Sequence, residues 1–308
     1  MISNKTTFIT LFLFLFQPIP SYSESSNKCL ADTKSFTVCE SLAKQGDDEA
    51  LLTLGYLYEA GLGVEKNTVA AEKIYQNLAD KNNKEGFNLL ARLKANQGKK
   101  EEAIRLYQKA IDLGSSAALY NLGILYKYNH DYSKAKDAFE LAIKKYNSTN
   151  SMMSLGDLYL DGLGVNKNIT LAEGLYKNAM QEGNDIAITR LAMLYAEIDN
   201  YDDAIRLYNI AISKNDPEAM NSMGLLYKYG IGVNLNIKKS VMLFEQASNN
   251  NSATGSINLG LMYEEGLGVP QSYEKAIELY EKSYQLGYTD AKLRIDFLKN
   301  NILKKSNN

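Results

Sequence analysis

The stretch LGYLYEAGLGV, from Leu54 to Val64, decides the fold because the chain contains four versions of it. The other copies are LGDLYLDGLGV (Leu155 to Val165), MGLLYKYGIGV (Met223 to Val233) and LGLMYEEGLGV (Leu259 to Val269). A catalytic loop is normally needed once, whereas a structure built by stacking needs its joint in many layers. The recurrence therefore predicts a repeat architecture.

Seven small residues, each following a leucine or methionine near the middle of a repeat, mark the period. These mark residues are Gly55, Ala91, Gly123, Gly156, Ala192, Gly224 and Gly260. Successive marks lie 36, 32, 33, 36, 32 and 36 residues apart. A tyrosine stands three residues after six of the marks, with Lys94 as the exception, and this offset belongs to one face of a helix. Each mark therefore lies on an amphipathic first helix.

A second apolar stripe follows each mark and predicts a second helix in every repeat. Its members are Ala71–Ile74–Tyr75, Ala103–Leu106–Tyr107, Ala135–Ala138–Phe139, Ala172–Leu175–Tyr176, Ala204–Leu207–Tyr208, Ser240–Leu243–Phe244 and Ala276–Leu279–Tyr280. Neither helix buries its stripe alone, so stacked pairs are expected, with the aromatic residues in the core.

The GLGV segment accounts for the longer repeats. It predicts an interhelical loop whose glycines supply left-handed backbone and whose valine turns back toward the core. A phosphate-binding loop is excluded because no strand precedes the segment and no lysine–serine/threonine pair follows it.

The pattern A-x-x-x-L-G-x-x-Y-x-x-G-x-G-V, followed by K-A-x-x-x-Y, resembles the Sel-one-like repeat (SLR) family, whose members are related to tetratricopeptide repeats. The segment SINLGLMYEEGLGVPQSYEKAIELYEKSYQLG, from Ser256 to Gly287, is close to the family consensus. Three shorter repeats, at 86–115, 117–147 and 186–215, are more similar to tetratricopeptide repeats. The resemblance implies an all-α fold, a right-handed α-solenoid of about seven helix-turn-helix repeats with capping helices at both ends.

The start of the chain has the layout of a secretory signal peptide. Residues 1–23 contain one early lysine, a short apolar run from Phe8 to Phe16 and a small, polar end before a cut near Glu24. An uncleaved anchor is the alternative. The expected location is therefore the periplasm or the outside of the cell, with no stable membrane insertion after cleavage.

The remainder of the chain is predicted to form three parts. Residues 24–46 form an N-terminal cap, residues 47–290 form the repeat solenoid, and residues 291–308 form a C-terminal capping helix with a polar tail. Cys29 and Cys39 lie in the first part, and in an oxidising compartment an even pair predicts a disulfide. Two free buried thiols are the alternative.

The composition argues against several functions. The chain has 34 basic and 36 acidic residues, a net charge of -2, so nucleic acid is not an expected partner. His130, the one histidine, stands beside Asp131 in the tight turn YNHDY, where the neighbouring sequence does not offer the further ligands of a metal site, so a solvated turn histidine is predicted. The sequence predicts no catalytic residue, no metal site and no cofactor.

The family resemblance also implies an alternative function, because some exported SLR proteins are linked with penicillin binding and weak β-lactamase activity. The chain would then be a β-lactam- or peptidoglycan-binding protein, or a weak β-lactamase-like hydrolase. S-x-x-K motifs occur at Ser25–Lys28, Ser41–Lys44, Ser133–Lys136 and Ser272–Lys275, but no S-D-N or K-T-G partner follows them. A non-catalytic protein is therefore expected.

The resemblance to tetratricopeptide proteins implies a concave groove, lined by first-helix positions three before and one, four and five after the mark. The partner-binding residues predicted in this way are Tyr56, Arg92, Tyr120, Ile124, Lys127, Tyr128, Met153, Asp157, Asn221, Lys228 and Tyr229. Such a mixture is typical of a protein- or peptide-binding face, although some members are alternatively packed against a neighbouring helix. The prediction is an exported, monomeric interaction scaffold for a cell-envelope or host protein.

Overall fold

The computed structural model describes the backbone of residues 35–306 and the side chains of residues 36–300, and every regular element in that range is an α-helix. The helices are α1 Ser35–Lys44, α2 Asp48–Ala60, α3 Thr68–Asp80, α4 Lys84–Asn96, α5 Lys100–Asp112, α6 Ser116–Tyr128, α7 Tyr132–Tyr146, α8 Thr149–Asp161, α9 Ile169–Gln181, α10 Asp185–Glu197, α11 Tyr201–Ser213, α12 Pro217–Tyr229, α13 Ile237–Asn249, α14 Ala253–Glu265, α15 Tyr273–Gln285 and α16 Ala291–Ser306. None of the helices searched within this range is long and apolar enough to cross a membrane. The predicted signal peptide lies outside the described residues.

The helices belong to two compact units, one with the described residues up to Leu175 and the other with those from Tyr176 onward. The N-terminal unit holds α1, the pairs α2–α3, α4–α5 and α6–α7, then α8 and the start of α9. The C-terminal unit holds the rest of α9, the pairs α10–α11, α12–α13 and α14–α15, and the closing helix α16. Consecutive helices pack against each other from α1 to α8 and from α10 to α16, which confirms the predicted all-α helical-repeat solenoid.

The mark glycines allow the two helices of a repeat to pack closely. A Cβ atom on Gly55 would lie 2.5 Å from Cε1 of Tyr75, and one on Gly260 would lie 2.5 Å from Cε1 of Tyr280. Five of the seven second-helix aromatics are among the largest fully buried side chains of the described residues, and Tyr107 and Tyr208 are only 2% and 3% exposed. The assignment of the aromatic stripe to core packing is therefore confirmed.

The GLGV segment forms the same interhelical loop in all four places. Gly61, which ends α2, has φ 74° and ψ 34°, and the equivalent glycines after α8, α12 and α14 also adopt left-handed backbone. The loop closes where the N–H of Asn67 donates to the carbonyl of Tyr58 at 2.8 Å, a bond that recurs in the other three loops. Val165 and Val269 pack against buried core residues, as predicted.

The shorter repeats replace this loop with a tight turn. In the turn between α6 and α7, His130 takes the left-handed conformation with φ 60°, which histidine tolerates better than most residues. Its side chain is exposed, and Nδ1 lies 2.7 Å from the hydroxyl of Tyr132. The prediction of a solvated turn histidine is confirmed.

Helices α1 and α16 flank the repeat pairs. Cys39 on α1 is fully buried against Ala50, Leu54 and Leu57 of α2. Its predicted bonding partner Cys29 lies outside the described residues, so the disulfide stays a prediction. At the other end, buried residues of α16 pack against Ala276 and Tyr280 of α15.

Candidate binding face on the first helices

Within each unit, first helices of successive repeats contact one another, and the surface that their side chains form there is called here the first-helix face. In the N-terminal unit α2, α4, α6 and α8 are linked in this order by side-chain bonds. In the C-terminal unit, side-chain bonds join α12 to α14 and α14 to α16. Four of the eleven predicted partner-binding residues take part in these bonds, namely Arg92, Lys127, Asp157 and Asn221.

Two ion pairs each join a residue four positions after one mark to a residue one position after the next mark. Arg92 Nη2 lies 2.7 Å from Oε2 of Glu59, and Lys127 Nζ lies 3.5 Å from Oδ2 of Asp157. The two pairs occupy the same repeat positions with the charges exchanged. Three predicted binding residues, Arg92, Lys127 and Asp157, therefore join neighbouring repeats.

The Glu59–Arg92 pair belongs to a network that includes Tyr75, whose hydroxyl donates to Oε2 of Glu59 at 3.0 Å. Burial alone would lower the pKa of Arg92, but the neighbouring carboxylate of Glu59 outweighs it, so the pKa is raised. The guanidinium is therefore held in its charged form, and the carboxylate accepts from both partners.

The same arrangement closes the C-terminal unit. The Tyr280 hydroxyl donates to Oε2 of Glu264 at 2.7 Å, and Arg294 of α16 binds both carboxylate oxygens of Glu264 at 2.8 and 2.6 Å. Burial first, and then Glu264, raises the pKa of Tyr280, so this phenol remains a hydrogen-bond donor at neutral pH. Each network links a first helix, its second helix and the next first-type helix.

Asparagine pairs form a third kind of junction. Asn121 Nδ2 donates to Oδ1 of Asn88 at 2.9 Å, and Asn258 Nδ2 donates to Oδ1 of Asn221 at 2.7 Å. Asn221 is only 7% exposed. This predicted binding residue therefore holds two helices together, the alternative that the sequence left open.

Other predicted residues are half-buried. The ring of Tyr120 lies 6.0 Å from the ring of Phe139, and Ile124 packs against the cluster that contains Phe139. Tyr56 and Met153 are also partly covered. These four side chains offer a partner only part of their surface.

The most exposed predicted residues are two tyrosines at equivalent positions, five residues after their marks. Tyr128 at the end of α6 is 69% exposed, and Tyr229 at the end of α12 is 61% exposed. Each follows a lysine, and Lys228 Nζ lies 5.5 Å from the ring centroid of Tyr229. The two units thus carry the same lysine–tyrosine sequence at the end of a first helix, although Lys127 is already paired with Asp157.

The described S-x-x-K motifs lie in ordinary helical surroundings. Lys136 forms an ion pair with Glu140 at 2.9 Å, which raises the pKa of Lys136 and disfavours the neutral amine that a catalytic base requires. Ser272 caps α15 by accepting from the N–H of Lys275. Among the residues that the structure describes, no group of three His, Cys, Asp or Glu side chains is placed to hold a metal ion.

Sequence reasoning missed Glu59 and Glu264, the acceptors of the two three-residue networks. A signal was present, because both glutamates stand four residues after a mark, and a tyrosine of the second helix follows each at the same spacing. The arginines were harder to assign, because Arg92 and Arg294 lie 33 and 30 residues from the glutamates that they bind.

Comparison with known families agrees with this geometry. A model of the Sel1 repeat matches residues 48–83, 149–184, 217–252 and 254–288. Models of tetratricopeptide repeats match residues 85–113, 117–148 and 187–220. The chain is therefore an α-helical repeat protein. Specifically, it carries Sel1 repeats interleaved with tetratricopeptide-type repeats, as the two loop classes predicted.

Curated relatives share only part of their length with this chain. Over 145 residues it is 30% identical to protein sel-1 homolog 2 of Homo sapiens, covering 44% of this chain and 21% of the relative. Over 77 residues it is 29% identical to the ERAD-associated E3 ubiquitin-protein ligase component HRD3 of Candida glabrata, covering 25% of this chain and 9% of the relative. The chain thus spans about a fifth or less of these relatives.

Solved structures show a similar fold. The protective antigen c5321 of uropathogenic Escherichia coli, which displays an SLR fold, has a TM-score of 0.52 and 25% identity over 85% of this chain and 59% of its own. A Sel1 repeat protein from Oxalobacter formigenes has a TM-score of 0.55 and 23% identity over 89% and 84%. Yeast Tom70 has a TM-score of 0.67 and 17% identity over 95% and 68%. The repeat architecture is suited to protein–protein interaction.

Proposed function

We propose that this chain is a non-catalytic scaffold that binds a protein partner on its first-helix face. The observation that carries the proposal is the pair of exposed tyrosines, Tyr128 and Tyr229, each next to a lysine at the same repeat position. Tyrosine supplies a large, rigid contact with a polar end, and such residues are frequent anchors in protein interfaces. At the junctions described above, by contrast, the charged and amide side chains bond to neighbouring helices.

The proposal places this scaffold outside the cytoplasm, in the periplasm or secreted, as a monomer with a cell-envelope or host protein as its partner. The amino-terminal layout of residues 1–23 supports export. The likeness to c5321 adds support, because a protective antigen is a protein that the host immune system meets. Amino-terminal sequencing of protein from the cell fractions tests export, and an intact residue 1 in a cytoplasmic fraction would contradict it.

Site-specific photo-crosslinking tests the binding face. A photoreactive phenylalanine analogue replaces Tyr128 or Tyr229, and the purified protein is exposed to envelope extract of the producing organism and to host-cell lysate. Matched controls carry the analogue at Gln76 on α3 or Gln246 on α13, which are exposed positions of second helices. A shared partner captured at both tyrosines, but not at the controls, is the expected result. Capture at the controls alone would place binding elsewhere.

A further inference from the structure

The third repeat departs from its sister repeats at one core position. Where Ile74, Leu106, Leu175, Leu207, Leu243 and Leu279 stand in the other repeats, the third repeat has Ala138. Leu207 and Leu243 are 2% and 4% exposed, and the other four are partly buried, so a branched side chain occupies this position in every sister repeat. The alanine leaves the corresponding volume unfilled by the chain's own residues.

An apolar groove of about 260 Å³ lies at this position in the N-terminal unit, between α5, α6 and α7. Its lining residues are Gln108, Ile111, Leu119, Leu122, Tyr126, Lys134, Asp137, Ala138 and Leu141. In the last repeat, Leu279 packs against a cluster that includes Leu259 and Tyr263, the residues equivalent to Leu122 and Tyr126 of the groove. The groove is therefore the space that a sister repeat fills with leucine.

The dimensions and rim of the groove indicate its occupant. A volume of 260 Å³ is below the usual range for sites of drug-sized molecules, roughly 300–1,000 Å³, and suits one large side chain. At the rim, Leu141 is 47% exposed and extends the apolar surface. The Asp137 side chain is 70% exposed. Its ion-pair partner Lys136 lies 3.9 Å from it and is closer to Glu140, at 2.9 Å. The rim lysine Lys134 is already bound to Asp131 at 2.7 Å.

We infer that this groove is a second docking site, which binds a partner segment through one leucine-like side chain with a basic residue beside it. The sister repeats supply the size match, because a leucine or isoleucine occupies the equivalent space in them. The exposed carboxylate of Asp137 supplies the charge complementarity. The groove residues belong to α5, α6 and α7, and neither Tyr128 nor Tyr229 is among them.

Methyl-detected NMR of the full mature protein tests this site with defined probes. The probes are synthetic amphipathic helical peptides of identical sequence, except for a central leucine or alanine and for a lysine or glutamate one turn away. The leucine–lysine peptide is expected to shift the methyl signals of Ile111, Leu119, Leu122 and Leu141, and to bind at least tenfold more tightly than its alanine counterpart. Ala138→Leu is expected to weaken this binding at least tenfold, whereas the volume-conserving Leu207→Met should not.

A second variant keeps the test decisive if Ala138→Leu disturbs the fold. Asp137→Lys, an exposed change, is expected to reverse the preference between the lysine and glutamate peptides. Equal binding of the leucine and alanine peptides, methyl shifts outside the groove, or full binding by folded Ala138→Leu would overturn the inference. The Tyr128→Ala and Tyr229→Ala variants should leave these methyl shifts unchanged. Failure of the groove inference is therefore distinguishable from failure of the proposed function.

Discussion

The third repeat and the sixth repeat end their first helices with the same four residues, Leu-Tyr-Lys-Tyr, yet their lysines have different surroundings. In the third repeat Lys127 is 23% exposed and lies 3.5 Å from Asp157 of the next repeat. In the sixth repeat Lys228 lies beside Tyr229, and the position equivalent to Asp157 is occupied by Leu261. The charge is matched in one unit and left available in the other.

The repeats also differ in the connection between this shared sequence and the second helix. The third repeat turns tightly through His130, whereas the sixth continues into a glycine loop that begins at Gly230. The mark glycines nevertheless face a buried phenylalanine in both, Phe139 and Phe244. The residues within a repeat therefore determine its core packing. The residue at the facing position of the next repeat determines whether a surface lysine forms an ion pair.

The shared core gives the largest expected effect. Gly123→Val should destabilise the protein by about 1–3 kcal/mol, because a Cβ there would lie 2.5 Å from Cε1 of Phe139 and must displace the ring. Gly224→Val should cost a similar amount, since its Cβ would lie 2.6 Å from Cε1 of Phe244. Urea denaturation followed by circular dichroism measures both.

Gly174 on α9 is the matched control for these glycines. It is a helical glycine with no atom within 4 Å of an added Cβ, so Gly174→Ala should stabilise the helix by about 0.5–1 kcal/mol. If Gly123→Val and Gly224→Val raised the urea midpoint as Gly174→Ala does, the two repeats would not share the close packing described above.

The two lysines give the next effect and test the comparison directly. Lys127→Met should destabilise the protein by about 1 kcal/mol, because the Asp157 side chain is 14% exposed and loses an ion-pair partner. Lys228→Met should change stability by less than about 0.5 kcal/mol, because it removes no inter-repeat ion pair. Thermal and urea unfolding of both variants provide the measurement. Equal losses would mean that the next repeat does not distinguish the two lysines.

The smallest effect concerns the second repeat, where Lys94 stands at the position of Tyr126 and Tyr227. Lys94 Nζ lies 2.7 Å from Glu72, and its hydrogen bond holds the pKa of Glu72 below the usual value. Since the folded pKa is lowered, the stabilisation is present above the unfolded pKa of about 4.3 and is lost as pH falls through the folded value.

Glu72→Gln should therefore reduce the loss of stability between pH 6 and pH 3, by less than about 1 kcal/mol because the Glu72 side chain is 33% exposed. Urea midpoints measured across this range, for wild type and variant, give the slope of stability against pH. Glu278→Gln, on the exposed surface of α15, is the control and should leave the slope nearly unchanged. An unchanged slope in Glu72→Gln would remove the assigned role of the Lys94 pair.

The fold was largely predictable from the sequence because its information is local and recurrent. The mark residues, the tyrosines three residues later and the stripes of the second helices repeat at 32 to 36 residues, which predicts helices, loops and core together. The tight turn that contains His130 was also predicted, because the shorter repeats lack the GLGV segment, but its left-handed backbone was not. The candidate site was predictable only in outline. The position of Tyr128 at the end of a first helix follows from the sequence, whereas the role of Asn221 depends on its hydrogen bond with Asn258 of the next first helix.

The sequence by itself determined that this protein is a stack of helix pairs and where each joint lies, because helix periodicity and glycine loops are properties of adjacent residues. Only the tertiary structure decided which surface groups are used internally. Arg92 reaches Glu59, and Asn121 reaches Asn88, across 33 residues in each case. The groove beside Ala138 likewise lies between three helices, at a position where the sister repeats have leucine or isoleucine. Such contacts depend on distances between repeats, which no local pattern of residues specifies.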